Sequence, residues 1–226
     1  MHPGSRVRLK PTTARHFTSD TLFDRIARVL CEASCLPRKE LYESWEVARR
    51  TRRRFRGGRV VDLACGHGLV AHLMLLLDDT SPSALCIDTR IPKSAARVTD
   101  VLVRAWPRLE GRVKYEERPI DDVVLASSDV VVSTHACGAL TDRVLEKAVA
   151  ANARVAVVPC CHDEATCDAG SLEGWLELGV AIDATRAAYL KAQGYDVHTQ
   201  LLPPAVTPKN RLLFGCPALR LPDSAR

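Results

Sequence analysis

The sequence lacks long apolar runs, a secretory signal and internal repeats. None of its segments approaches the roughly 18 consecutive apolar residues of a membrane-spanning helix, so a membrane protein is not expected. Residues 1–8 lack the apolar centre of a signal peptide, which predicts a cytoplasmic location. The formal net charge of +5 is mild, and it permits an anionic partner without requiring one.

The cysteines lack the spacing of a disulfide framework. There are nine, an odd number, and no two are separated by two residues as in a C-x-x-C metal or redox motif. Because thiols in a reducing compartment act mainly as small core hydrophobes, we predict that they are reduced. Hydrophobic and charged residues make up 46% and 26% of the 226 positions, values typical of a single globular domain.

A strand, a glycine turn and a helix follow one another at residues 60–77. The apolar residues around Asp62 predict a short buried strand at residues 60–63, and the apolar run at residues 69–77 predicts a buried helix. Gly66 and Gly68 lie between the two. Glycine lets the backbone approach a ligand without an intervening Cβ, and a helix N-terminus offers free N–H groups. This order is typical of a nucleotide-binding site.

The residue that separates two nucleotide cofactors is Asp62. Gly66, Gly68 and Ala71 formally satisfy the dinucleotide pattern G-x-G-x-x-G/A. A carboxylate just before the turn would crowd a pyrophosphate, but it suits a cationic amino group. The run resembles motif I of the class I S-adenosylmethionine (SAM) methyltransferases, with Ala64 in place of the first glycine. The resemblance implies SAM as the cofactor, with its methionine end held by Asp62, Ala64, Cys65, Gly66 and Gly68.

The ends of later strands carry further residues that this resemblance implies. Asp88 ends the second predicted strand, about 20 residues past the turn, where an acid accepts hydrogen bonds from ribose hydroxyls. The loop that follows the third strand corresponds to the family's adenine-binding loop, with Ile120 and Asp121 as its predicted contacts. His135 and Cys137 follow the fourth strand, at the edge where such a sheet binds its ligand, and are predicted to line the cofactor.

Two short sequences after neighbouring strands are the most distinctive feature. His-Ala-Cys-Gly-Ala-Leu-Thr-Asp occupies residues 135–142, and Pro-Cys-Cys-His occupies residues 159–162. Together they resemble the methyltransferase branch that includes the acceptor-stem tRNA ribose-O-methyltransferase and the methyltransferase-like and glutathione-transferase-C-terminal-domain-containing proteins. The resemblance covers residues 59–163. It implies a Rossmann-like α/β domain with a seven-stranded, mostly parallel sheet whose last strand is antiparallel.

Methyl transfer from a sulfonium needs a positioned acceptor and, for some acceptors, a general base. His135 and His162 end adjacent strands. Histidine is the residue type most often used as a general base near neutral pH, so either is a candidate base. Cys160 or Cys161 is a candidate nucleophile, although nothing in the sequence indicates the lowered thiol pKa that this role needs. A metal site is an alternative that would draw on His135, Cys137, Cys160, Cys161, His162 and Cys167. Since adjacent cysteines do not easily chelate one ion, no metal is predicted.

The chain before residue 58 predicts an arm and two helices. Residues 1–17 are basic and lack an apolar period, which predicts a mobile arm. Residues 18–57 predict an N-terminal helical extension that covers the cofactor cleft, followed by a SAM-binding domain at residues 58–226. The second helix ends in an arginine-rich segment made of Arg49, Arg50, Arg52, Arg53, Arg54 and Arg56. Such a run is either a solvated helix end or a phosphate clamp.

The predicted function is therefore methyl transfer to RNA, either tRNA or rRNA, from the resemblance and the arginine-rich segment together. A small-molecule or protein acceptor is the alternative. An NAD-dependent oxidoreductase and a SAM-binding protein without catalysis are further alternatives. The oxidoreductase is disfavoured by Asp62 and by the pair of consecutive cysteines, Cys160 and Cys161, after the fifth predicted strand.

Overall fold

A computed structural model describes residues 2–218; Met1 and residues 219–226, the end of the predicted domain at 58–226, lie outside the described residues. The helices are α1 (Leu22–Ala33), α2 (Arg38–Arg54), α3 (Leu69–Leu77), α4 (Ala95–Ala105), α5 (Leu140–Ala150) and α6 (Leu178–Ala192). The strands are β1 (Val60–Leu63), β2 (Ala84–Asp88), β3 (Val113–Glu117), β4 (Val130–Ser133), β5 (Arg154–Val157), β6 (Tyr195–Leu201) and β7 (Arg211–Pro217). Short 3₁₀ turns occupy Pro11–His16, Pro107–Leu109 and Ile120–Asp122.

The strands form one seven-stranded sheet in the order β3-β2-β1-β4-β5-β7-β6. The first five strands are parallel, and β7 is antiparallel to both β5 and β6. β1 is buried along its whole length, as expected for a parallel strand covered on both faces. This arrangement confirms the Rossmann-like fold class expected from the sequence. The carboxyl ends of β1 to β5 meet at one edge of the sheet, called the carboxyl edge below; the opposite edge is the amino edge.

Helices cover both faces of the sheet. On one face, apolar residues of α1 to α4 pack in a single core with Val60, Cys86 and Val132. On the other face, α5 and α6 pack against Val61 and Leu63. Because side chains alternate between the faces of a strand, the odd and even positions of β1 belong to different cores. No helix within residues 2–218 is both long and apolar enough to cross a membrane.

The N-terminal segment differs from the mobile arm that its composition predicts. Leu9 is fully buried, and its N–H donates to the Leu36 carbonyl at 2.9 Å. Arg8 forms an isolated bridge with Pro37, and Phe17 is also buried. Two apolar anchors without helical periodicity are therefore enough to hold the segment against α1 and α2. The two helices share one core with α3 and α4, so residues 18–57 are an integral layer of the domain.

A side-chain cap and a loop fix the start of the last helix. α6 starts at Leu178, where the Glu177 carboxylate accepts the N–H groups of Gly179 and Val180 as a cap. Ser171 has a φ of +57°, a left-handed conformation that is incompatible with a continuing helix. A loop therefore connects residue 158 to the start of α6 at the carboxyl edge.

Candidate functional site

The β1–α3 turn, residues 64–68, has a backbone that favours glycine. Ala64, Gly66 and Gly68 have φ values of +57°, +52° and +67°. A Cβ placed on Gly66 would meet no atom of residues 2–218 within 4 Å. The turn therefore presents bare backbone to open space, and a side chain at Gly66 would fill that space.

Packing below the turn explains its second glycine. A Cβ on Gly68 would lie 2.6 Å from the Tyr115 hydroxyl oxygen and 2.9 Å from the Cys86 sulfur. The same Tyr115 hydroxyl donates to the His67 carbonyl at 2.8 Å. Tyr115, at the middle of β3, thus fixes the height of the turn above the sheet. Gly66 faces the open space and Gly68 faces the core.

Asp88 is tied directly to this turn. Its Oδ2 atom accepts the Gly66 N–H at 3.0 Å, and its Oδ1 atom accepts the Arg90 N–H at 3.3 Å. Residues 89–93, which follow Asp88 in the chain, line a cavity of about 680 Å³ together with Glu117. The structure therefore brings the predicted ribose-binding acid and the glycine turn together, beside a cavity large enough for a nucleoside.

Asp62 lies under the turn and is only 1% exposed. Its Oδ2 atom has no hydrogen-bond partner within residues 2–218. Burial raises the pKa of Asp62 from 3.8 to about 8, although a hydrogen bond from the backbone of Ala71 acts in the opposite direction. The carboxyl group is therefore mostly protonated at neutral pH, with an unused polar atom next to the N-terminus of α3. Its predicted contact with a cationic tail stays a prediction.

The loop after β3 places its two predicted contacts differently. Ile120 is buried among apolar residues of the sheet face that α5 covers. Asp121 is exposed, and its carboxylate accepts a hydrogen bond from Arg143 of α5 at 2.8 Å. The Asp121 backbone carbonyl accepts from Lys147 of the same helix. The Asp121 carboxylate is thus engaged by α5, so only a rearrangement of this ion pair would free it for an adenine.

His67 and its neighbours form a part of the site that sequence reasoning missed. Its Nδ1 atom lies 3.1 Å from Glu40 Oε1 of α2, and its Nε2 atom lies 3.0 Å from Ser94 Oγ before α4. His67 stands between the two glycines of the turn, a position that carries no spacing signal. Through His67, α2 and the residue before α4 hold the turn in place. The predicted cover of the cofactor cleft by the N-terminal helices stays a prediction.

His135 faces the same helices from the opposite side. This residue is exposed and lines a cavity of about 210 Å³ together with Arg6, Pro37, Lys39, Glu40 and Glu43. Glu40 contacts both this cavity and His67 of the turn. His135 therefore lies on the side of the turn away from Asp88, where an acceptor could approach the methyl end of a bound cofactor.

Three thiols converge at the carboxyl ends of β4 and β5. The Sγ atoms of Cys137, Cys160 and Cys161 all lie within 4.8 Å of one another. Burial raises the pKa of Cys160 and that of Cys137, so these two thiols are protonated at neutral pH. A covalent role for Cys160 as a nucleophile gains no support, because nothing near it lowers its pKa.

His162 does not join the three thiols. Its side chain is 4% exposed, and its Nε2 atom lies 2.9 Å from Asp183 Oδ1 of α6. Asp183 also accepts hydrogen bonds from Arg186 and Arg211. His162 therefore links the loop after β5 to α6, and its predicted place facing the methyl group stays a prediction. Cys167 is also buried, beside Arg186.

His162→Ala is expected to lower the free energy of unfolding by about 1–3 kcal/mol, because it removes a buried hydrogen bond to a carboxylate. SAM affinity should stay the same. His135→Ala is the matched control. Because the His135 ring is exposed, its removal should change the free energy of unfolding little, but it should strongly reduce methyl transfer. Urea unfolding and a transfer assay on both variants check this. Full activity in His135→Ala would contradict its assignment as the base.

Arg52 of the arginine-rich segment is part of the core. Its side chain is 2% exposed and forms an ion pair with Asp78 at 3.3 Å. Its guanidinium also donates to the Ser81 hydroxyl at 2.7 Å and to the Met74 carbonyl at 3.1 Å. Burial lowers the pKa of Arg52 to about 10, which leaves it charged. This arginine is not available to a phosphate.

Three more of these arginines make contacts within the fold, among them Arg56, which is exposed but donates to the Leu77 carbonyl at 3.0 Å. Arg49 and Arg50 both donate to the Glu46 carboxylate, at 3.0 Å and 2.9 Å, and Arg50 also donates to Gln200. The three exposed members are Arg53, Arg54 and Arg56. The segment precedes the start of β1, so these three lie at the amino edge, across the sheet from the β1–α3 turn.

Comparison with known families adds an independent finding. A sequence model of the family described as "Methyltransferase domain" matches residues 39–202. The matched range begins in α2 and ends after β6, so it includes the turn, Asp88, His135 and the three thiols. No protein with a curated description matches the sequence.

Solved structures show the same fold at low sequence identity. An O-methyltransferase family protein from Burkholderia thailandensis has 17% identity and a TM-score of 0.54, with 94% of this chain and 64% of that chain covered. The pyocyanin biosynthetic protein PhzM has 15% identity and a TM-score of 0.51, covering 92% and 62%. Mitomycin 7-O-methyltransferase MmcR has 18% identity and a TM-score of 0.50, covering 91% and 60%. This chain therefore spans less than two thirds of each of these three proteins.

Proposed function

The chain belongs to the methyltransferase-domain family whose model matches residues 39–202, and on that basis we propose that it transfers a methyl group from SAM to an acceptor bound at the carboxyl edge. Its fold is that of the SAM-dependent methyltransferases, and SAM is its cofactor. The observation that supports this proposal best is the open backbone of Gly66 hydrogen-bonded to Asp88.

The residues present fit SAM on two structural grounds. Gly66 leaves a space that a Cβ would fill, and Asp62 keeps a buried oxygen that has no partner within residues 2–218. We propose that Asp88 accepts hydrogen bonds from the ribose hydroxyls while it holds the Gly66 N–H. Bound SAM supplies an electrophilic methyl group and a neutral thioether leaving group.

The acceptor side of the site is assigned to His135. Its exposed imidazole lines the cavity beneath α2 and can take a proton from an acceptor hydroxyl or amine. The α2 residues of this cavity hold the acceptor close to the methyl group, and proximity is most of what an in-line displacement needs from the protein. His162 has no part in this proposal.

RNA is the acceptor class we propose first. The exposed Arg53, Arg54 and Arg56 offer positive charge, and Trp175 on the loop between β5 and α6 is 88% exposed. An exposed aromatic ring can stack on an unpaired base, and arginines can neutralise phosphates. Because the arginines lie at the amino edge, a bound RNA would have to reach from one edge of the sheet to the other.

A small-molecule acceptor is the second candidate, favoured by a cavity. An apolar space of about 330 Å³ lies between α6 and the ends of β6 and β7, and Pro159 at one side of it directly precedes Cys160. Leu213 and Ala184 are among its lining residues, with Arg211 as a charged group. Pockets of this size and character commonly hold small organic ligands.

The double substitution Arg53→Glu/Arg54→Glu is expected to weaken RNA binding about tenfold. The slope of log affinity against log salt concentration should become shallower by about two, because each exposed arginine would neutralise one phosphate. SAM binding should not change. Lys191→Glu, another exposed cation but on α6, is the control and should have little effect. Filter binding at several salt concentrations measures both. Equal RNA affinity in all three proteins would contradict the role of the arginines.

The acceptor class is tested by incubating the protein and methyl-labelled SAM with total RNA and, separately, with a metabolite extract. We expect label in the RNA fraction, and loss of that label with Trp175→Ala. Label only in the metabolite fraction would overturn the RNA proposal, and Ala184→Trp should then abolish transfer by filling the cavity. Label in neither fraction would contradict both acceptor classes.

A further inference from the structure

Cys137, Cys160 and Cys161 form a group, the thiol cluster, that the proposed methyl transfer does not use. The Sγ atoms of Cys137 and Cys160 lie 2.9 Å apart, and those of Cys160 and Cys161 lie 3.8 Å apart. Cys137 and Cys161 are exposed, and Cys160 is half-buried. Three soft ligand atoms therefore meet at a surface that solvent and ions can reach.

The sheet explains why residues distant in sequence meet here. β4 and β5 are parallel neighbours with Ser133 opposite Val157, so the loops that follow them leave the sheet side by side. The N–H of Val158 still donates to the Ser133 carbonyl at 2.9 Å, which keeps the loops together past the strands. Cys137 comes from the first loop, and the two adjacent cysteines come from the second.

The spacing of the cluster suits one tetrahedral ion. Zinc–thiolate bonds of about 2.3 Å place two sulfurs of a tetrahedron about 3.8 Å apart. The Cys160–Cys161 separation already has this value. Cys137 would need to move away from Cys160 by about 1 Å, which a small rotation of an exposed side chain provides. The adjacency of the two cysteines, which argued against chelation in the sequence, is no obstacle in this irregular loop.

We propose that Cys137, Cys160 and Cys161 bind one Zn²⁺ ion through three thiolates, with the fourth coordination position open at the carboxyl edge. Of the other candidate ligands named above, His162 contacts Asp183, Cys167 lies beside Arg186, and His135 lines the cavity beside Glu40 rather than joining the three thiols. Three protein ligands with an open position are typical of a zinc ion that binds a small molecule or water. That the open position faces the methyl acceptor rests on the proposed function; the metal site itself does not.

The test loads the reduced 226-residue protein with Zn²⁺ or with Co²⁺ as a spectroscopic probe. We expect one metal per chain by elemental analysis and a thiolate-to-cobalt charge-transfer band. Cys137→Ser and Cys161→Ser should each weaken metal binding at least about 100-fold, because each removes a direct ligand. Cys216→Ser, which changes a half-buried thiol of β7, is the matched control and should bind metal normally.

Two results would overturn the site. One is the absence of a charge-transfer band in the unmodified protein after reduction. The other is equal zinc affinity in the unmodified protein and in a variant with all three cysteines replaced by serine. Calorimetry with SAM on the same samples separates the two proposals: metal binding without SAM binding refutes the proposed function alone, and SAM binding without metal binding refutes the thiol site alone. Urea unfolding midpoints of the serine variants that match the midpoint of the unmodified protein show that the variants are folded.

Discussion

Gly66→Ala is expected to weaken SAM binding about 100-fold while it lowers stability by about 1 kcal/mol. The stability effect is small because the new methyl group would meet no atom of residues 2–218 within 4 Å, and only the φ of +52° is unfavourable for alanine. The binding effect is large because that methyl group would occupy the space where we place the cofactor. Calorimetric titration and urea unfolding of the variant measure the two effects separately.

Gly111→Ala is the matched control for this substitution. Gly111 has a φ of +68° and equally open surroundings, but it precedes β3 at the amino edge. We expect the same loss of stability of about 1 kcal/mol and unchanged SAM affinity. Equal SAM affinity in Gly66→Ala and Gly111→Ala would show that the β1–α3 turn does not contact the cofactor.

Asp62→Asn is expected to remove a large pH dependence of stability. Burial raises the pKa of Asp62 to about 8, so the folded protein keeps a proton on this carboxyl group that the unfolded chain loses at about pH 4. Between these values the unfolded state binds fewer protons, so the stability of the unchanged protein falls as pH rises. Asparagine has the same shape and does not titrate. The variant should therefore match the unchanged protein near pH 4 and exceed its stability at about pH 8 by on the order of 5 kcal/mol.

Urea unfolding of both proteins in the absence of SAM, from acid to mildly basic pH, measures this difference. Asp196→Asn serves as the control because Asp196 is exposed on β6 and should follow the unchanged protein. Parallel curves for Asp62→Asn and the unchanged protein would contradict the assignment. They would mean that the Asp62 carboxyl ionises in the folded state as readily as in the unfolded one.

Local sequence signals predicted the strand, turn and helix at residues 60–77 well. The apolar run at residues 69–77 is α3 with the expected bounds. A helix that is buried on every side is apolar along its whole length, so the local sequence is enough to predict it. Gly66 and Asp88 are brought together as expected, since parallel neighbouring strands place their ends at one edge. The fold class followed from the family resemblance of residues 59–163, and the sheet order confirms it.

Contacts between residues that are distant in the sequence are what local patterns do not predict. Arg52 belongs to the core because Asp78 and Ser81 meet it from another part of the chain, and an arginine run gives no sign of this. His162 turns towards Asp183 of α6 for the same reason. Leu9 anchors a segment whose composition alone indicates a mobile arm. In each case contacts with a distant part of the chain decide where the residue lies.

The thiol cluster is a site that the spacing of residues in the sequence could not predict. Its Cys137 lies 23 residues before Cys160, so their proximity depends on the pairing of β4 with β5. The role of His67 also required the structure, because Glu40 of α2 and Ser94, just before α4, approach it from different parts of the chain. Spacing identifies residues of one loop, whereas a site built from several loops depends on the order of the strands.

Titration of the purified protein with SAM and, separately, with NADH tests the central claim most directly. The glycine turn, Asp88 and the membership of the methyltransferase-domain family predict one SAM bound per chain and no binding of NADH. Binding of NADH without binding of SAM would contradict the account.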